Sequence, residues 1–482
     1  MESFGHTSLR TNSADSAGSG PVICGVSGLP LAGAFGCRIV LCIDKIKDRA
    51  RRADLHRESS SRLHEPGVWT DMHRLAIHLF LFLVAGAAID SAAADEGASL
   101  RTIHSQPSLV LTTKQVELAI TRLGGHMAPV TFFRDSAQPI QPYHISPWQN
   151  EQPSEMPAPV LVPLRGDFFC LPFGGNAEEV AGEKHPPHGE IAGEPWKLMS
   201  METAGDVSTL TLRFETKIRK GRVTKQLSLV EGQNVIYSKH TIEGFSGRVP
   251  LGHHATLSMP TTEGTVRIAT SAIRFGMTYP GLFSDPAKGE YQALQPGQKW
   301  TNLSKVPMAW KDAPDADLTR LPARDGHADL IQIVNEPWDK TNGPAWITAT
   351  FADGDYIWFA LKDPAVLRST VFWMENHGRH GHPWNGRNNC LGLEDVTSCF
   401  ADGLAASIQE NRLTKEGVET ALELTADKPT TVNYIQGVVK IPDGFENVRT
   451  LEFTPGEVTF VSTTGHRVTA SVRHEFLKTA TR

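Results

Sequence analysis

The sequence predicts an all-β protein, a large sandwich of antiparallel sheets with few short helices. Short runs rich in Val, Ile, Thr, Phe and Trp are separated along much of the chain by turns of Gly, Pro, Asn and Asp. Long amphipathic windows of helical period are nearly absent, and no repeat of fixed period is visible, which argues against a propeller. We therefore expect sheets that bury alternate residues against each other.

Composition and charge exclude several function classes. The 47 Lys and Arg against 53 Asp and Glu give a net charge of -6, and no long basic run is present that could neutralise a row of phosphates. Hydrophobic residues make up 40% of the chain, too few for a protein with many membrane spans. We expect neither nucleic acid as a partner nor a stable membrane span once the leader described next is removed.

The N-terminal part of the chain is predicted to lie outside the folded domain. Residues 1–71 are rich in Ser, Gly, Arg and Asp without a sustained period, and we interpret them as an unstructured extension. From Met72 the chain has a basic start, an apolar run over 75–88 and small residues at 92–94, the layout of a secretory signal peptide. We predict a signal peptide over 72–94, export to the periplasm or the exterior, and, as a hypothesis, translation from Met72 with a mis-called start upstream. The alternative is a buried apolar helix.

The predicted mature chain, 95–482, is interpreted as one domain whose strands follow in order. Each run carries β-branched or aromatic residues and ends at turn residues, which is typical of half-buried strands. The predicted strands cover 108–112, 116–121, 129–133, 209–215, 226–230, 234–239, 265–270, 345–351, 356–362, 370–374, 432–439 and 458–461. The best helical window is 402–409.

Three cysteines remain in the predicted mature chain: Cys170, Cys390 and Cys399. Cys390 and Cys399 are close enough in sequence to form a disulfide, and at least one thiol is left over. No CxxC spacing of the zinc type is present, so we expect structural cysteines and no thiolate metal site.

Four stretches are dense in polar groups set among aromatic residues and glycines. They are PLRGDFFCLPFGG with Arg165, HPPHGEIAGEPW with His188 and Trp196, LGHHATLSMP with His253 and His254, and NNCLGLEDVTS with Glu394. Histidine titrates near neutral pH and carboxylates accept protons, so such stretches favour proton-transfer chemistry.

In this order the stretches resemble the aldose 1-epimerase superfamily, the galactose-mutarotase-like proteins, and especially the hexose-6-phosphate epimerase-like branch. The matching motifs are Arg165-Gly166 with Pro172-Phe173-Gly174, His188-Gly189 with Trp196, His254-Ala255-Thr256-Leu257, and Gly392-Leu393-Glu394. The resemblance extends over most of 124–401. It implies a galactose-mutarotase-like β-supersandwich and an enzyme that needs no cofactor.

The resemblance also implies roles for the residues. Interconversion of sugar anomers moves a proton from the C1 hydroxyl and another to the ring oxygen, which one base and one acid can do. Glu394 is the implied base and His254 the implied acid, with His188 and Arg165 orienting the sugar. Trp196 could stack on the apolar face of the sugar ring; the alternative is a core residue, which is the commoner place for a tryptophan in a β-sandwich.

Three points stay open at this level. Either His253 or His254 faces the cleft, and we prefer His254. Arg165 would be structural if neighbouring Asp167 held it in an ion pair. Neighbouring carboxylates at Glu394 and the following Asp395 point to opposite faces of a strand, so at most one enters the site.

Two further segments are predicted at the rim of the sugar pocket. The stretch YHISPW contributes His144 and Trp148 as candidate sugar contacts. The stretch ENHGRHGHPWNGR holds three histidines and Glu375, which could ligate a divalent metal. Its glycines disrupt regular ligand geometry, so we favour a polar loop and expect no metal.

The leading hypothesis is therefore an exported isomerase of the aldose 1-epimerase type acting on a small or oligomeric sugar, with a neutral sugar expected. The alternative is a carbohydrate-binding protein of the same fold without catalysis. A polysaccharide lyase or hydrolase ranks third because no helical domain accompanies the strands. Convergence of Glu394 and His254 within one sugar's width would favour catalysis over binding alone.

Overall fold

The computed structural model describes residues 100–151, 155–341 and 343–478. The predicted extension 1–71 and signal peptide 72–94 lie outside these residues. The strands are β1 Arg101–Ile103, β2 Gln106–Thr112, β3 Glu117–Thr121, β4 Met127–Thr131, β5 Phe169–Cys170, β6 Lys197–Ala204, β7 Val207–Thr216, β8 Gly221–Val230, β9 Val235–Glu243, β10 Gly247–Val249, β11 Leu251–His253, β12 Ala255–Ser258, β13 Val266–Thr270, β14 Ile273–Thr278, β15 Lys299–Trp300, β16 Arg320–Leu321, β17 His327–Asn335, β18 Ala345–Phe351, β19 Tyr356–Lys362, β20 Ser369–Asn376, β21 Asn389–Thr397, β22 Leu422–Leu424, β23 Thr430–Lys440, β24 Val448–Thr454, β25 Glu457–Ser462 and β26 Arg467–Ser471.

The helices are short. The α-helices are α1 Trp338–Thr341, α2 Leu404–Ile408 and α3 Arg412–Lys415, and single 3-10 turns lie at Pro147–Asn150, Pro159–Leu161, Glu190–Ala192, Pro286–Lys288, Ala352–Gly354 and His474–Lys478. No helix in the described part of the chain is long and apolar enough to cross a membrane. The predicted all-β class with few short helices is confirmed.

Two large antiparallel sheets form the framework. The front sheet has eight strands in the order β15-β14-β17-β20-β21-β11-β5, with β12 also paired to β21. The back sheet has nine strands in the order β16-β13-β18-β19-β23-β9-β8-β7-β6. Smaller sheets are formed by β1 to β4, by β10 with β22, and by β24 to β26.

Buried apolar residues form three layers around these sheets. One cluster joins front-sheet residues such as Ile331 and Phe372 to back-sheet residues such as Trp358. A second cluster covers the opposite face of the front sheet, where Phe168 and Trp373 lie. A third lies between the back sheet and the sheet β24 to β26. Both large sheets are therefore covered on both faces, which explains why β18 and β19 are almost wholly buried.

Strand alternation appears where one face is less deeply covered. In β8 buried positions alternate with half-buried ones, as expected for a strand with one face on the core. Each run predicted as a strand overlaps an observed strand, and the predicted helix 402–409 contains α2.

Strand β17, central in the front sheet, was not predicted from the sequence. Its residues are buried from Ala328 onward on both faces, so polarity does not alternate along it and the period-two signal is lost.

The disulfide considered between Cys390 and Cys399 is also absent, because both are buried free thiols, as is Cys170.

Candidate functional site

A cleft of about 350 Å³ opens on the face of the front sheet that points away from the back sheet. Its walls are mostly apolar, with a few polar groups converging on it, as in most small-molecule sites. The lining includes Leu164, Phe168, His188, His254, Phe283, Leu330, Arg379, Trp373, Trp384 and Glu394.

Three neighbouring strands of the front sheet form the floor. Leu330 comes from β17, Trp373 from β20 and Glu394 from β21. Trp373 pairs directly with Gly392 of β21. A Cβ atom at Gly392 would come within 2.6 Å of the Glu394 Oε1 atom, so this glycine leaves room for the carboxyl group.

Glu394 and His254 are in direct contact at this floor. The Nε2 atom of His254 lies 3.2 Å from Oε1 of Glu394, and both side chains are buried. Burial raises the pKa of Glu394 well above its ordinary value. Burial, followed by the charge of neighbouring His188, lowers the pKa of His254 well below its ordinary value. Because both charged forms are disfavoured, the neutral pair is the resting state.

The local backbone holds His254 in this position. The peptide N–H of His254 donates to the Phe168 carbonyl at 2.9 Å, and its ring stacks on the Phe168 ring at 4.6 Å between centroids. The Nδ1 atom is 3.2 Å from Thr256 Oγ1. With Nδ1 donating to that hydroxyl, Nε2 is an acceptor facing Glu394, as the neutral pair requires.

His188 forms the adjacent wall. Its ring centroid lies 5.0 Å from that of His254, and its Nδ1 atom is 3.4 Å from Cys170 Sγ. Its φ is +61°, and Gly189 follows with φ +81°. A Cβ at Gly189 would lie 2.0 Å from the Leu171 carbonyl oxygen, so this turn needs glycine. Burial lowers the pKa of His188 to about 4.

Strand alternation decides between the two adjacent histidines. His254 lines the cleft, as preferred from the sequence. His253 points between the sheets, where its Nδ1 atom is 2.9 Å from Asp167 Oδ2 and its ring stacks on Tyr434. His253, predicted as a substrate contact, is therefore not among the residues that line the cleft.

Arg165 and Trp196 are also not at the cleft. The Arg165 guanidinium donates to the carbonyls of Ile103 and His104 at 3.0 and 2.8 Å and to Gln149. Arg165 is therefore structural, although its partners are carbonyls rather than the adjacent Asp167 considered from the sequence. Trp196 is a core residue whose indole N–H donates to the Ile191 carbonyl at 2.8 Å.

The two predicted rim residues lie behind the cleft wall. His144 Nε2 is 2.9 Å from Asn388 Oδ1, and the His144 side chain is not among the groups that line the cleft. Trp148 is buried and donates to the Leu161 carbonyl at 2.8 Å. Trp148 packs edge-on against Trp384 at 4.9 Å, so it supports a cleft residue without lining the cleft itself.

The sequence analysis did not select Arg379, although its segment was predicted at the rim. This side chain and Trp384 both line the cleft. The high density of polar and aromatic residues in this segment was the sequence signal that could have identified them. Within the described ranges no group of three or more His, Cys, Asp or Glu is arranged to hold a metal ion.

No protein-family model matches this sequence, and no curated protein matches it. Similar solved structures include a protein from Klebsiella pneumoniae subsp. pneumoniae that is provisionally described as an aldose 1-epimerase. The match has 13% sequence identity, covers 71% of this chain and 82% of that chain, and has a TM-score of 0.49. A protein from Escherichia coli K12 with the same provisional description has 13% sequence identity and a TM-score of 0.45. The match covers 70% of this chain and 100% of that chain. A galactose mutarotase-like protein from Clostridium acetobutylicum has 11% identity, coverage of 71% and 98%, and a TM-score of 0.45.

The superfamily resemblance of the sequence motifs and its hexose-6-phosphate branch stay predictions. At such TM-scores the likeness says nothing about activity. The chemistry has to follow from the side chains of the cleft.

Proposed function

We propose that this protein binds a sugar in the cleft and interconverts its anomers. The observation that carries the proposal is the contact between Glu394 and His254, two buried proton-transfer groups 3.2 Å apart at the floor of the cleft. A carboxyl and an imidazole whose environments drive their pKa values in opposite directions are the usual mark of an acid and base pair.

The reaction fits a pair that is neutral at rest. Opening a pyranose breaks the bond between C1 and the ring oxygen, forms the C1 carbonyl, and moves one proton from the C1 hydroxyl to the ring oxygen. Neutral Glu394 can give its proton to the ring oxygen while neutral His254 takes the hydroxyl proton, the reverse of the roles that the sequence resemblance implies for ring opening. Ring closure on the other face of C1 reverses both transfers, so each group serves as acid and as base in one cycle.

The walls suit a sugar ring. Trp373 and Trp384 lie 5.6 Å apart between ring centroids with their planes nearly perpendicular. Aromatic faces pack on the apolar face of a pyranose while polar groups orient its hydroxyls. His188 supplies such a group beside His254.

A second candidate is a sugar-binding protein without catalysis. It is favoured by the same contact, because two groups 3.2 Å apart do not flank an open gap as an acid and base on opposite sides of a sugar would. In that case the pair would only orient a bound hydroxyl group.

Mutarotation kinetics distinguish the two. We expect the chain from Asp95 onward to accelerate anomer exchange in a panel of aldoses. Polarimetry or exchange NMR measures the exchange rate. Glu394→Gln keeps the shape but not the proton and should slow the catalysed rate by at least about 100-fold. Glu410→Gln, at a side chain that is 76% exposed, is the matched control and should not change the rate. If the wild type binds sugars but does not accelerate anomer exchange, the protein is a sugar-binding protein and the proposed catalysis is wrong.

We also propose export. The support is the signal-peptide layout of 72–94 in the sequence. Expression of the full chain with a C-terminal tag, cell fractionation and N-terminal sequencing should give an exported protein that begins at Asp95. A protein retained in the cytoplasm with an intact leader would contradict the proposal.

A further inference from the structure

Arg379 is the one Arg or Lys among the described residues that line the cleft. It follows β20 in the loop that carries Trp384, and its side chain is 30% exposed. Its guanidinium carbon lies 4.7 Å from the Phe283 ring centroid and 5.6 Å from that of Trp384. The two rings, both part of the cleft wall, hold this cation at the site.

The donors of Arg379 are mostly unused. Its Nε atom points to the buried carboxyl of Glu375, but at 3.5 Å from Oε2 it forms an ion pair rather than a hydrogen bond. Nε and this carboxylate oxygen are both buried without a hydrogen-bond partner in the described structure. No hydrogen bond from Nη1 or Nη2 to another described residue is formed. The free end of the guanidinium therefore remains for a ligand.

The charge of Arg379 is also poorly balanced. Burial raises the pKa of Glu375 to about 7, so this partner is only partly ionised at neutral pH. Glu394 is held neutral by burial, as described above. A bound ligand thus meets a guanidinium in a largely apolar cleft, where an opposite charge interacts far more strongly than in water.

We propose that the ligand of the cleft is an acidic sugar whose carboxylate pairs with the free end of Arg379. The inference rests on the proposed sugar function of the site and specifies its substrate class, and it departs from the neutral sugar expected from the sequence. Arg379 acts here as a specificity determinant, since proton transfer stays with Glu394 and His254.

A carboxylate suits the free end of the guanidinium. The Nε side faces Glu375, which leaves the two Nη atoms for an acceptor. A planar carboxylate can lie in the plane of these two nitrogens and accept two parallel hydrogen bonds.

Binding measurements on matched sugars test the proposal. Glucuronate and galacturonate, their neutral parents glucose and galactose, and the corresponding 6-sulfates and 6-phosphates are titrated calorimetrically at low salt. We expect the uronates to bind at least about tenfold more tightly than the neutral parents. Arg379→Gln should remove this preference, so that uronates and their neutral parents bind the variant with similar affinity. Arg387→Gln lies in the same loop, but its partner is the exposed Glu151, and it should retain the preference.

Each outcome decides a different point. Equal affinity for uronates and neutral sugars, or a preference that survives Arg379→Gln, overturns the acidic-sugar inference while the proposed function stands. Tighter binding of the esters than of the uronates overturns the carboxylate assignment. If no sugar of any charge binds the wild type or the variants, and their far-ultraviolet spectra show folded protein, both the inference and the proposed function fail.

Discussion

Burial controls protonation at single carboxyl groups of the front sheet. Glu394 and Glu375 lie on adjacent strands, β21 and β20, and both face the cleft side with almost no exposed surface. Removal of water penalises the charged form, so the pKa of each is raised. At Glu375 the charge of Arg379 opposes the effect of burial on the pKa. At Glu394 burial is the cause of the raised pKa.

This difference predicts a pH dependence of stability carried by Glu375. Its pKa is raised from 4.5 to about 7 by burial, so between these values the unfolded chain has released a proton that the folded chain retains. The free energy of unfolding should therefore fall by about 3 kcal/mol as the pH rises from 4.5 to 7, and the full contribution is present below pH 4.5.

Urea unfolding across this pH range measures the effect. Glu375→Gln should remove most of this slope relative to wild type, because the amide does not titrate. Glu410→Gln, at an exposed side chain, should keep it. A Glu375→Gln variant with the wild-type slope would show that the carboxyl is not neutral when folded.

Strands and turns position the groups of the cleft. The two-residue period of a strand sends Glu394 and Asp395 to opposite faces of β21, and it does the same for the histidines at the end of β11. His188 depends instead on a turn, in which Gly189 has φ +81° and an added Cβ would meet the Leu171 carbonyl. This turn is therefore the part of the site that is most sensitive to substitution.

Gly189→Ala should disrupt the turn. The positive φ alone costs about 1–2 kcal/mol for an L-residue, and the new Cβ would also meet the Leu171 oxygen at 2.0 Å. We expect a lower thermal midpoint and weaker sugar binding, since His188 moves. Gly182→Ala is the control, with φ +84° and open space around the added Cβ. Equal losses in the two variants would show that the carbonyl contact carries no cost.

A buried polar link connects the two large sheets. Lys362 of the back sheet and Asp395 of the front sheet form an ion pair with 2.5 Å between Nζ and Oδ1. Tyr434 of the back sheet donates to the other carboxylate oxygen at 2.8 Å, and Thr370 donates to the first at 2.6 Å. Burial lowers the pKa of Lys362. Such a network favours one alignment of the sheets, because a shift would leave buried charges unpaired.

Breaking this link should destabilise the whole molecule. Lys362→Met leaves the Asp395 carboxylate buried without its counter-charge and should lower the free energy of unfolding by about 3–5 kcal/mol. The double change Lys362→Met with Asp395→Leu should recover part of this loss. Arg467→Met, which breaks an exposed pair with Glu452, should change the urea midpoint little. A single variant as stable as wild type would show that the ion pair is not needed.

Local sequence signals were enough to predict the strands with clear alternation and the three polar cleft residues Glu394, His254 and His188. These follow from local signals, since period-two alternation assigns the faces of a strand and the motifs pick out the chemistry. The alternation also separated Glu394 from Asp395 correctly. Central strand β17 escaped because burial on both faces removes the alternation.

Which other side chains reach the cleft depends on contacts between distant parts of the chain. Arg165 is drawn to carbonyls about sixty residues earlier in the chain, and Arg379 is placed on the cleft by packing against Phe283, which comes from a distant loop. Long side chains go where non-local partners hold them, and sequence spacing does not encode those partners. The same holds for the neutral state of Glu394, which depends on burial by residues from several strands.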